Sequence, residues 1–343
     1  MTLSCAAPQR RARAESERKS RIGWATSGSL DPAPTSLRRA PPPRPPSRRL
    51  ALSDTPASPA PRTIPIEGAV RFGPGCFTIV AGPCAVETEE QLTGTALRVA
   101  AAGASMLRGG AFKPRTSPRS FQGLGAKGLD LLRAASAASG LPVVTEVLDP
   151  RDVELVAASA AMLQIGSRNM QNFALLREVA KVDRPVLLKR GAAATLDELL
   201  AAADYLLEGG NERVVLCERG VRGFDSSTRY LLDLAAVPTL KQRSPLPVIV
   251  DPSHGTGRRE LVVPMALAAF AAGADGIIVE VHPDPARAQC DGRQALLPAD
   301  FEQLVGKLAQ LAPVLGRPLG ARSARAKSGN ENIQPGRPTE MSA

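Results

Sequence analysis

The sequence predicts a (β/α)8 TIM barrel with disordered N- and C-terminal extensions, and three observations carry that reading. Eight short β-branched or aliphatic runs alternate with helical stretches over about 250 residues. The runs are continuously apolar rather than alternating, as parallel strands covered on both faces require. Chemistry-bearing residues fall at or just beyond the C-terminal ends of the runs, where such a barrel builds its active site.

In chain order the predicted strands are 77–81, 105–108, 142–146, 162–165, 185–189, 213–217, 247–251 and 276–280. Helical patterns follow them, clearest over 89–102, 196–208, 258–272 and 298–311. An open doubly wound sheet is the competing architecture, but no Gly-rich fingerprint follows the first strand. Residues 63–316 are therefore assigned to the barrel. Residues 1–62 contain eleven prolines and no hydrophobic period, as in 41–46 followed by Ser47-Arg48-Arg49, so they cannot repay the entropy of folding. They are expected to be a disordered Arg/Pro-rich extension, and 317–343 a second disordered tail. An Arg-rich transit peptide would also fit 1–62, although Glu15 and Glu17 count against it.

Composition narrows the function classes. Apolar residues make up 43% of the 343 positions and aromatics only 3%, so the core must be aliphatic. The net charge of +10 lies in the ends. Residues 1–62 hold 12 Lys/Arg against 4 Asp/Glu, residues 317–343 hold 5 against 2, and the barrel holds 26 against 27. A near-neutral barrel argues against nucleic acid as a partner. Five scattered cysteines (Cys5, Cys76, Cys84, Cys217, Cys290) form no visible disulfide framework, which suits a reducing cytosol. No apolar run approaches the roughly 20 residues of a membrane helix, and no secretory signal opens the chain. A cytoplasmic protein with no membrane partner is expected.

The polar residues then sort by strand. Cys84 follows the first, and Arg108 ends the second with Lys113, Arg115 and Thr116 beyond it. Glu146 ends the third, Arg168 follows the fourth, Lys189 ends the fifth and Arg219 follows the sixth. His254 follows the seventh, within Asp251-Pro252-Ser253-His254-Gly255, Glu280 ends the eighth, and Asp291 lies in the next loop. A soft thiolate, an imidazole and two carboxylates suit one catalytic divalent ion with an open side for substrate; Mn, Fe, Zn and Co all fit these donors. Six cations beside such a centre call for polyanionic substrates, since unpaired they would repel one another by several kcal/mol, on the order of intermediate-dielectric Coulomb energies.

These residues stand in motifs. Ala81-Gly82-Pro83-Cys84-Ala85-Val86-Glu87, Arg108 through Lys113-Pro114-Arg115-Thr116-Ser117-Pro118, and Gln164-Ile165-Gly166-Ser167-Arg168-Asn169 resemble 3-deoxy-7-phosphoheptulonate (DAHP) synthases. So do Leu187-Leu188-Lys189-Arg190-Gly191, Cys217-Glu218-Arg219-Gly220, Asp251 through His254-Gly255-Thr256-Gly257, Val279-Glu280-Val281-His282-Pro283 and Asp291-Gly292. The match is to the class I bacterial subfamily related to the octulosonate 8-phosphate synthases, and it spans about 72–311. The resemblance implies that Cys84, His254, Glu280 and Asp291 bind the metal, and that Arg108, Lys113, Arg168, Lys189 and Arg219 bind phosphoenolpyruvate. It places Lys113 between the two substrates, with Arg115 and Thr116 on the phosphate of erythrose 4-phosphate. The implied reaction opens the shikimate pathway to chorismate and the aromatic amino acids, catalysed by a homo-oligomer (dimer or tetramer). Lys113, Cys84 and His254 are the implied catalytic residues, with Lys113 or a metal-bound water handling protons.

Two stretches depart from the family pattern. Cys290 stands where Ser is frequent before the last ligand, and Gly220-Val221-Arg222-Gly223-Phe224-Asp225 replaces the usual Gly-Ile-Arg-Thr-Phe-Glu. Cys290 should lie near Cys84 if Asp291 and Cys84 share a metal, so oxidation could join them. Within the same fold, an octulosonate 8-phosphate synthase acting on arabinose 5-phosphate is the rival; that family typically has Lys-Ala-Asn-Arg where this chain has Lys113-Pro114-Arg115-Thr116. A non-catalytic scaffold barrel is the alternative from another class, and the intact donor set argues against it. Residues 1–62 resemble neither a regulatory domain nor a chorismate mutase, so feedback inhibition through them is not expected.

Overall fold

The structure is a computed structural model that describes residues 59–320; the remainder of the two expected extensions lies outside the described residues. Eight parallel strands close into a barrel in sequence order. They are β3 (Thr78–Gly82), β4 (Met106–Arg108), β5 (Val143–Glu146), β6 (Met162–Ile165), β7 (Val186–Lys189), β8 (Val214–Glu218), β9 (Val248–Val250) and β10 (Gly276–Glu280). β10 returns to β3 with Gly276 opposite Thr78 and Glu280 opposite Gly82. That register brings the Glu280 and Cys84 ends of the first and last barrel strands to the same rim.

The helices are α1 (Glu89–Ala102), α2 (Ala126–Ser139), α3 (Val153–Ala157), α4 (Phe173–Val179), α5 (Leu196–Glu208), α6 (Ala236–Arg243), α7 (Pro252–Thr256), α8 (Arg259–Ala271) and α9 (Pro298–Val314). Local chemistry fixes their ends. Thr88 caps α1 through a hydrogen bond from the Gln91 N–H, and Thr195 with Glu198 forms a capping box on α5. The main core lies between strands and helices and is aliphatic apart from a few residues such as Phe77, Phe270 and Phe301.

A second core fills the barrel. Val80, Met106, Val144, Met162, Leu187, Val215, Ile249 and Ile278, one from each strand, pack with Cys217. Ile64, Val70 and Phe72 join them from a short antiparallel hairpin, β1 (Ile64–Pro65) and β2 (Arg71–Phe72). This plug was not anticipated, because two-residue strands leave no period to read. Residues 317–320, expected beyond the barrel, also belong to it. The Phe77 N–H donates to Pro318 O (3.1 Å), the Gly320 N–H donates to Phe77 O (2.8 Å), and Arg317 donates to the carbonyls of Phe270 and Ala274 (2.6 and 2.5 Å). Among the described residues no helix is long and apolar enough to cross a membrane.

Candidate active site

A cavity of about 280 Å³ opens where the strands end, lined by Arg108, Lys113, Arg115, Thr116, Arg168, Lys189, Arg219, His254 and Asp291. Every cation singled out in the sequence is on this face. Cys84 and Glu280 are buried (3% and 0% exposed) against His254 and Asp291.

Four donor atoms, one each from Cys84, His254, Glu280 and Asp291, lie within 4.8 Å of one another. Each is placed by its local backbone. Gly82 ends β3 at φ +153°, and a Cβ there would sit 2.1 Å from the Arg108 carbonyl oxygen, so only glycine lets the chain turn into Pro83-Cys84. His254 lies on the one-turn helix α7 rather than in the open turn its sequence suggests. Asp251 caps that helix, accepting from the His254 N–H (2.9 Å), and its other oxygen contacts Nδ1 (2.8 Å). The imidazole therefore turns Nε2 toward Glu280 Oε1 (3.2 Å) and Asp291 Oδ2 (3.7 Å). Asp291 is the only non-glycine among the described residues with positive φ (53°), a strained conformation that aims its carboxylate at the cluster. One sulfur, one ring nitrogen and two carboxylate oxygens so disposed fit a divalent transition metal.

The cations are tied to this centre rather than scattered around it. Arg108 donates to Glu280 Oε1 (3.0 Å) and to the Cys84 carbonyl oxygen (3.1 Å). Lys113 Nζ donates to the same carbonyl (3.0 Å) and to Cys84 Sγ (3.2 Å). Burial alone would discharge Lys113, but the neighbouring sulfurs of Cys84 and Cys290 outweigh it and its pKa is raised. Lys189 donates to the Asp251 oxygen that faces the imidazole (2.5 Å). Burial would raise the Asp251 pKa, yet His254 and Lys189 outweigh it and hold the carboxyl well below its usual range. Burial acts against Glu280 likewise, and His254 and Arg108 bring its pKa below the ordinary value. The Cys84 thiol is pushed up by its hydrogen bond with Cys290 (3.2 Å between sulfurs) and by burial. Arg115 donates to Cys290 Sγ (2.5 Å), while Arg168 and Thr116 are exposed at the rim.

Two buried donors on this face have no partner: Nε of Arg108 and Nη1 of Arg219. The Arg219 guanidinium lies over the Tyr230 ring, its central carbon 4.2 Å from the centroid. Arg190, next to Lys189 in sequence, instead pairs with Glu218 (2.8 Å) and Asp233 (3.1 Å) and does not line the cavity. Arg229, Tyr230 and Gln294 were not anticipated. Arg229 lines the cavity, Tyr230 carries Arg219, and the buried Gln294 touches Glu280. Arg229 and Tyr230 lie in a loop and Gln294 in a single 3-10 turn (Gly292–Gln294), with no strand end to mark them.

A protein-family model described as the DAHP synthetase I family matches residues 61–315. The chain belongs to the DAHP synthetase I family. It is 52% identical over 249 residues to a phospho-2-dehydro-3-deoxyheptonate aldolase of Thermotoga maritima, covering 73% of this chain and 74% of that protein. A crystal structure of a DAHP synthase from the same organism superposes with a TM-score of 0.74 at 50% identity, covering 76% of each chain. A 2-dehydro-3-deoxyphosphooctonate aldolase of Nitratidesulfovibrio vulgaris is 35% identical over 62% of this chain and 84% of its own length. The octulosonate branch is thus related but more distant than the Thermotoga protein.

Proposed function

We propose that this chain joins phosphoenolpyruvate to erythrose 4-phosphate with one water, releasing phosphate and 3-deoxy-D-arabino-heptulosonate 7-phosphate. The observation that carries the reading is the pairing of a four-donor metal-type cluster with buried, unsatisfied guanidinium donors on Arg108 and Arg219. A divalent ion at Cys84, His254, Glu280 and Asp291 would supply Lewis-acid polarisation of the aldehyde oxygen.

The protein's own groups account for the rest. Arg108, Arg168, Lys189 and Arg219 hold the carboxylate and phosphate of phosphoenolpyruvate, and Arg115 with Thr116 holds the phosphate of the aldose. Both substrates are thereby fixed with the terminal carbon of phosphoenolpyruvate facing the aldehyde carbon, which lowers the entropic part of the barrier. A carbon–carbon bond forms between them, water oxygen adds to the central carbon of phosphoenolpyruvate, and the bond from that carbon to the phosphate oxygen breaks. Lys113, whose Nζ donates to the Cys84 carbonyl and sulfur beside the cluster, supplies a proton to the former aldehyde oxygen and regains one from the attacking water, whose second proton leaves with the phosphate.

Lys113-Pro114-Arg115-Thr116 favours erythrose 4-phosphate over arabinose 5-phosphate, and the higher identity to the heptulosonate enzyme supports the same choice. Phosphoenolpyruvate consumption by metal-loaded protein with each aldose separates the two. Turnover with erythrose 4-phosphate alone is expected. A preference for arabinose 5-phosphate would overturn the substrate assignment while leaving the barrel and its donors in place.

A further inference from the structure

Each carboxylate in the cluster uses one oxygen within it and turns the other away. Glu280 Oε1 faces His254 and Arg108, whereas Oε2 accepts from Gln294 Nε2 (2.7 Å). Asp291 Oδ2 faces Cys84 and His254, whereas Oδ1 accepts from Arg229 Nη1 (3.3 Å). The two outward partners are themselves joined, since the same Arg229 nitrogen donates to Gln294 Oε1 (3.1 Å). The Gln294 amide does both jobs, accepting from the guanidinium through Oε1 and donating to the carboxylate through Nε2. Gln294 is 2% exposed, so neither bond is readily replaced by water.

Arg229 is itself fixed by the helix that carries His254. Its N–H donates to Thr256 O (2.9 Å), and Gly257 leaves room where a Cβ would lie 2.5 Å from the Arg229 Cβ. The loop is closed on its other side by the Val221–Leu231 bridge.

We propose that Arg229 and Gln294 form a single bracket that positions Glu280 and Asp291 toward the metal, so that metal retention depends on the 220–232 loop as well as on the four ligands. Neither residue reaches the inner oxygens, so both are positioning residues. The inference rests on the reading of Cys84, His254, Glu280 and Asp291 as metal ligands.

Cobalt(II) affinity tests it, measured by competition with a chromophoric chelator on EDTA-stripped wild type, Gln294→Leu, Arg229→Met and the double variant. The thiolate-to-cobalt absorption band is read alongside, and melting of the stripped proteins checks folding. Each single variant is expected to bind cobalt about 10- to 100-fold more weakly, as loss of groups that orient metal ligands does, with an altered thiolate band. The double variant should be little worse than the poorer single one, because either change undoes the same bracket. Wild-type affinity and band in both single variants would overturn the proposal, as would losses that multiply in the double. Arg229 is about one-third exposed, so Arg229→Met keeps the test decisive if Gln294→Leu folds poorly. Wild type that binds no cobalt would instead sink the metal-centre reading on which the bracket stands.

Discussion

Replacing Asp251 by asparagine probes the centre without touching a donor atom. Asp251 is fully buried, and one of its oxygens meets both Lys189 Nζ (2.5 Å) and His254 Nδ1 (2.8 Å). Asparagine keeps the volume and can still cap α7, so the change removes charge and little else. Breaking a buried ion pair by neutralising one partner costs about 3–5 kcal/mol. Lys189 is 5% exposed and lines the cavity, so water can partly reach it and the lower figure, about 3 kcal/mol, applies. For a domain of this size that corresponds to a fall of about 6–12 °C in Tm, measured by calorimetry on stripped protein. The imidazole also loses the carboxylate that fixes its orientation, and metal affinity should fall about 10- to 100-fold. A Tm within about 2 °C of wild type, with unchanged metal affinity, would refute the view that Asp251 is what holds Lys189 and His254 in place.

Three further outcomes follow from the same geometry. Gly82→Ala forces a Cβ against the Arg108 carbonyl at positive φ and should cost about 1–3 kcal/mol, seen as a lower urea midpoint, whereas an unchanged midpoint would mean the β3 end can relax. Hydrogen peroxide should take two electrons from the Cys84 and Cys290 thiols, forming a disulfide and two waters and blocking metal binding until a reductant restores it; Cys290→Ser protein inactivated as fast as wild type would reject this. Arg219→Leu should raise KM for phosphoenolpyruvate about 10- to 100-fold, the loss expected for charge-assisted hydrogen bonds of about 1.5–3 kcal/mol, with KM for erythrose 4-phosphate little changed; Arg115→Leu should do the reverse, and a shared rise in both would merge the two proposed anion sites.

The strands were legible because burial on both faces leaves uninterrupted aliphatic runs; 162–165 and 276–280 match β6 and β10 without adjustment. The site was legible for a related reason: a barrel sends the residue at each strand end to one rim, so chain order alone gathers Cys84, Lys189 and Glu280. The strand predicted to reach Asp251 stops at Val250, because Asp251 turns away to cap α7. Arg229 and Gln294 escaped notice since their positions depend on loop bridges and close packing across Gly257, which no local period encodes. Arg108, Lys113 and Lys189 are not free cations waiting for substrate alone: Arg108 and Lys189 already pair with Glu280 and Asp251, and Lys113 already donates to Cys84.

The central claim is that the four-donor cluster holds the ion on which turnover depends. It is tested most directly by stripping the protein with EDTA and titrating back a divalent metal while following phosphoenolpyruvate loss in the presence of erythrose 4-phosphate. Activity should vanish on stripping and return in proportion to metal, reaching its maximum at about one ion per chain, the stoichiometry of a single four-donor centre. Full turnover by protein shown to be metal-free would contradict the account.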